Sequence, residues 1–73
     1  MTYEVRFGID TKKAKNQVYR VFTTQADSYG EAIRNFIEWA NNGEQKFDYG
    51  GKPYKFKRYP VSERDVVSVM RWD

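Results

Sequence analysis

The stretch from Ser28 to Gly43 constrains the fold of this chain more than any other. Its apolar residues fall at Tyr29, Ala32, Ile33, Phe36, Ile37 and Ala40. Spacings of three and four trace one face of a helix with a period of 3.6. Trp39 lies at the edge of that face, and Glu31, Arg34, Asn35, Glu38, Asn41 and Asn42 supply the polar side. Both ends are marked. Ser28 followed by Glu31 is a capping-box pattern, in which the hydroxyl accepts from the Glu31 amide, and Asp27 is a rival cap one residue earlier. Asn41-Asn42-Gly43 suits the left-handed conformation that closes a helix. An amphipathic helix has to lie against something. Its polar face mixes both signs of charge rather than gathering Lys and Arg, which favours a sheet over a membrane surface as its cover.

Strand signals flank the helix on both sides. Tyr3, Val5, Phe7 and Ile9 alternate with Glu4, Arg6, Gly8 and Asp10, the pattern of a half-buried strand. The lysine-containing stretch Thr11 to Asn16 reads as a hairpin loop with a solvated tip. Gln17 to Ala26 reads as a second strand with a less regular alternation. Ala26 leads straight into the helix cap, so Phe22 and Ala26 are assigned to the core, and Tyr19 and Val21 to the face away from the helix. Glu44 to Lys52 reads as a loop with a Gly50-Gly51 turn, over which Phe47 and Tyr49 fold back onto the core edge. Tyr54 to Tyr59 alternates as a third strand, with Pro53 and Pro60 at its ends. Asp65 to Trp72 reads as a fourth strand, apolar on both sides, which suits a central place in a sheet or pairing with another molecule. The expectation is one α+β domain over residues 1–73, ordered β-β-α-β-β. One helix packs on one face of a mostly antiparallel four-stranded sheet, and the other face is left open.

Size limits what such a fold can bury. A chain of 73 residues hides only about 60% of the surface its unfolded form exposes. With no Cys it has no disulfide staple, and with no His it lacks the usual zinc ligand sets. Thirteen aromatic residues compensate, because each buries more area than an aliphatic side chain. A homodimer would compensate too. No apolar run approaches 18 residues and no signal-peptide pattern is present, so the expectation is a cytoplasmic protein with no membrane partner. The net charge of +3 permits contact with phosphate or with an acidic protein and requires neither.

Catalysis is not expected. The commonest bases and nucleophiles are missing with His and Cys, Ser28 is accounted for as a cap, and Ser62 and Ser68 have no base beside them in the sequence. The triplet Gly50-Gly51-Lys52 lacks the rest of a phosphate-loop pattern, since Pro53 follows the lysine. The sequence therefore points to no catalytic residue, no metal ligand and no cofactor.

Binding is the remaining class. In Lys52 to Tyr59 basic and aromatic residues interleave, a composition that suits single-stranded nucleic acid, with bases stacked on rings and phosphates met by Lys and Arg. A platform of Arg6, Tyr19, Lys55, Lys57 and Tyr59 on the open face would resemble the way RNA-recognition domains use a sheet, although the aromatic-glycine signature of those domains is absent. The competing reading makes Tyr54 and Phe56 core residues and the lysines an edge-strand device against aggregation. A patch of Tyr19, Val21 and one face of the last strand would instead serve a protein partner, for which Tyr, Trp and Arg carry most interface energy. The candidate partner-binding residues are Arg6, Tyr19, Val21, Lys55, Lys57 and Tyr59.

No family signature is recognised. The segment through Phe22, Thr24, Ala26, Ser28, Glu31 and Ala32 resembles a strand-into-helix join common in short accessory proteins of phages, plasmids and integrative elements. The resemblance implies an accessory or inhibitory role exercised by binding a host protein. The expected function is thus a small non-catalytic protein-binding module, and the alternative is a nucleic-acid binder using Tyr54 to Tyr59 and the adjacent sheet face.

Overall fold

A computed structural model describes residues 1–9, 18–43, 45–56 and 59–73. Strands β1 (Thr2–Ile9) and β2 (Val18–Gln25) precede helix α1 (Tyr29–Asn41). Two short strands follow, β3 (Phe47–Tyr49) and β4 (Lys52–Tyr54), then a 3-10 turn over Glu63–Asp65 and strand β5 (Val66–Arg71). The main sheet has three strands in the order β2-β1-β5, with β1 antiparallel to both neighbours. β3 and β4 form a separate two-stranded hairpin.

The expected four-stranded sheet is therefore corrected to a sheet of three strands and a hairpin of two. The stretch read as a loop contains β3, which pairs Phe47 with Tyr54 and Tyr49 with Lys52. Gly50 and Gly51 turn the hairpin with φ of 61° and 78°, both positive as a type I′ turn requires. Of the expected third strand over Tyr54 to Tyr59, only Tyr54 lies in a strand among the described residues, since β4 ends there, and Phe56 is buried in the core. The hairpin loop expected over Thr11 to Asn16 lies outside the described residues, as do Lys57 and Arg58.

β1 is central because its alternation is the cleanest in the chain. Tyr3, Val5, Phe7 and Ile9 are all buried beneath the helix. The β1–β2 register sets Val5 opposite Phe22 and Arg6 opposite Val21, so Phe22 joins the core and Tyr19 and Val21 point away from it, as expected. β5 lies at the sheet edge rather than centrally. Its register shifts between Arg6 and Phe7, where Arg6 pairs with Ser68 and Phe7 with Val66, leaving Val67 as one extra residue. Such a bulge changes the parity of a strand. Val66 and Val69 consequently both pack against the core, while Val67 and Met70 are exposed.

The helix forms as its caps predict. The Ser28 hydroxyl accepts from the Glu31 amide at 3.1 Å, and the Asn42 amide donates to the Trp39 carbonyl. The Gln45 side-chain amide donates to the same carbonyl at 3.1 Å. Ala32, Phe36 and Ala40 are buried. Tyr29, expected on the same face, is 53% exposed and meets the core ring of Tyr3 edge-on.

An aromatic cluster fills the space between helix, sheet and hairpin. Phe7 is its hub, with ring centroids 5.1 Å from Phe36, 5.3 Å from Phe56 and 5.4 Å from Phe47. Phe22 stacks on Trp39 at 4.8 Å. Each well-oriented pair contributes roughly 0.5–1.5 kcal/mol beyond its buried area, which is how so short a chain assembles a core without disulfides. Polar ties fix the periphery. Arg20 donates to the Asp48 carbonyl at 2.7 Å, linking β2 to the hairpin. Asn41 donates to the Val61 carbonyl at 2.8 Å and accepts from the Val61 amide at 2.7 Å.

Candidate interaction face

With helix, hairpin and the Phe56 segment all on one side, the opposite side of the three-stranded sheet carries no other element among the described residues. Pairing fixes which residues lie there. β1 contributes Thr2, Glu4, Arg6 and Gly8, the positions alternating with its buried set. β2 contributes Tyr19, Val21, Thr23 and Gln25 through their pairing with these positions. β5 contributes Ser68 opposite Arg6 and Met70 opposite Glu4. Trp72 follows, its amide donating to the Thr2 carbonyl at 2.9 Å. Its indole Nε1 donates to the Glu4 carboxylate at 3.0 Å, which holds the ring on the same side.

The face has an apolar border on each flank and a charged strip between. Tyr19 and Val21 are each 46% exposed on the β2 flank, and Met70 and Trp72 are 49% and 62% exposed on the β5 side. Two exposed apolar pairs, one on each flank of the charged strip, are thus available for contact. Along the middle run Glu4, half-buried, and Arg6, exposed, two residues apart on the same side of one strand. The underside of that strand is the most tightly buried part of the molecule, so the face rests on a rigid base.

Of the candidate residues, Arg6, Tyr19 and Val21 are brought together here. Lys55 and Tyr59 are not. They belong to the segment after β4, outside the three-stranded sheet, where Phe56 packs against Phe7, Phe36 and Phe47 and Tyr59 meets Phe56 edge-on. Lys57 lies outside the described residues. The mixed basic-aromatic platform expected on the open face is thus not assembled by Lys55 and Tyr59. Met70 and Trp72 belong to the expected last strand, whose exposed side the sequence leaves open because Val66, Val67 and Val69 make both of its sides apolar.

Among the described residues no group of three or more metal-binding side chains is gathered, and no helix is long and apolar enough to cross a membrane. No protein-family model, no curated protein and no solved structure matches the chain.

Proposed function

We propose that this chain is a small non-catalytic protein-binding module that docks its partner on the open face of the three-stranded sheet. The observation that carries the reading is the exposure of Tyr19, Val21, Met70 and Trp72 on one side of a sheet whose other side is fully packed. Tyr and Trp are the residue types that dominate interface energies. A sheet already held by its own core loses little freedom on docking, which leaves more of the contact energy for affinity. The charge pattern speaks against a polyanion, since Arg6 has Glu4 beside it and Lys55 lies outside this sheet. An accessory or inhibitory role toward a host protein extends this proposal, on the resemblance of the Phe22 to Ala32 join.

A photo-crosslinking residue at position 70, compared with one at Glu38 on the exposed side of the helix, tests the docking face in cells. Crosslinks to protein from position 70 and none from position 38 are expected. The reverse pattern would refute the assignment. Titration with mixed single-stranded oligonucleotides at two salt concentrations tests the nucleic-acid alternative, which predicts micromolar binding that weakens steeply with salt.

A further inference from the structure

We infer that the partner seated on the open face is a second copy of this chain, packed sheet on sheet with its β1 antiparallel to the first. The inference rests on the reading of this face as a protein-docking surface and names the protein. Its carrier is the order of charges on the central strand. Glu4 and Arg6 stand side by side on the open face of β1. A two-fold axis running across the strands at the level of Val5 places Arg6 of each copy over Glu4 of the other. An axis running along the strands would set Glu4 on Glu4 and Arg6 on Arg6, and like charges reject that alternative. The surface is therefore self-complementary in one orientation only, as a two-fold interface demands.

Size follows the same rule. The β1–β5 register sets Ser68 opposite Arg6 and Met70 opposite Glu4, so the same axis lays Met70 over the second copy's Ser68, large against small. On the other flank Val21 comes over Thr23, and Tyr19 over Gln25. The Trp72 indole already holds the Glu4 carboxylate at 3.0 Å, so the acceptor for the incoming guanidinium is in place before docking. Two such sheets stack about 10 Å apart with strands within about 30° of each other. The footprint is three strands wide and eight residues long, roughly 14 Å by 26 Å from ordinary strand spacing and rise. That is roughly 360 Å² of plan area on each copy, below the standard size of a stable interface, and implies a weak dimer that dissociates on dilution.

The test is sedimentation of the whole chain over a concentration series from about 1 μM to about 500 μM, a range that brackets weak interfaces, with circular dichroism confirming the fold of each variant. The parent is expected to shift from its 8.7 kDa monomer to twice that mass. Arg6→Glu and Glu4→Arg should each weaken association at least tenfold. An equimolar mixture of the two should form a one-to-one dimer, and the double swap E4R/R6E should restore self-association. A parent that stays monomeric throughout, or an Arg6→Glu variant that dimerises like the parent, overturns the inference. The position-70 crosslinker separates this failure from failure of the underlying reading. A monomeric chain that crosslinks a different protein loses the second copy and keeps the docking face, whereas a monomeric chain that crosslinks no protein loses both.

Discussion

Truncating Phe36 to Ala tests whether the helix is docked through the face described. Phe36 is fully buried and lies within ring-contact range of Phe7, Phe22, Trp39 and Phe56, at 5.1, 6.0, 6.1 and 6.1 Å. Removing a ring so enclosed costs ~3–5 kcal/mol, the lost transfer energy plus the cavity that four packed neighbours cannot fill. A chain of 73 residues has roughly 4–11 kcal/mol of total stability at ordinary values per residue, so the variant loses between about a quarter and all of it. Tyr29→Ala, on the same helix, is the control. Tyr29 is 53% exposed and meets Tyr3 edge-on, and its loss should cost no more than ~1.5 kcal/mol. Urea unfolding followed by tryptophan fluorescence reads both, because Trp39 sits against the cluster. With a slope of about 1 kcal/mol per M for a small protein, Phe36→Ala should lower the midpoint by roughly 3 M or leave no folded baseline. A Phe36→Ala midpoint equal to or above that of Tyr29→Ala would show that the helix does not bury this face, and the docking scheme would fall with it.

Two further substitutions probe features that hold the rest of the chain. Asn41→Ala removes both hydrogen bonds to the buried Val61 backbone, and leaving that amide and carbonyl unpaired should cost ~1–3 kcal/mol in the same urea assay; a change within error would mean the tie is incidental. Val66→Asp and Val67→Asp test the β5 bulge, since Val66 packs on the core and Val67 is 52% exposed. Charge at 66 should destabilise by ~1–3 kcal/mol and charge at 67 by no more than ~0.5 kcal/mol, and equal effects would contradict the register.

The helix was legible because its evidence is local. A period of 3.6, a hydroxyl at Ser28 and Asn42-Gly43 at the far end are all within one segment, and each agrees with the others. The orientation of β2 was legible for a related reason: Ala26 abuts the cap, so parity counted back from it settles that Phe22 faces in and Tyr19 and Val21 face out. The hairpin was not, since strands of three residues are too short to show alternation. Tyr54 to Tyr59 misled in the opposite direction. Its residues alternate like a strand, yet β4 ends at Tyr54, and Phe56 reaches its place among Phe7, Phe36 and Phe47 from beyond the end of that strand.

The open face itself depends on the least legible feature of all. Continuing the Phe7–Val66 pairing without a bulge would set Val67 beside Arg6, Ser68 beside Val5 and Met70 beside Tyr3. Ser68 would then enter the core and Val69 would leave it. One extra residue at Val67 reverses this, so that Val69 pairs with Val5 inside and Met70 with Glu4 outside. Burying a valine in place of a serine gives the bulge its driving force. The exposure of Met70 and the placement of the Trp72 indole on Glu4 follow from that choice, with nothing in the identities of those two residues requiring it. The same core that stabilises the fold therefore selects which side chains lie on the open face.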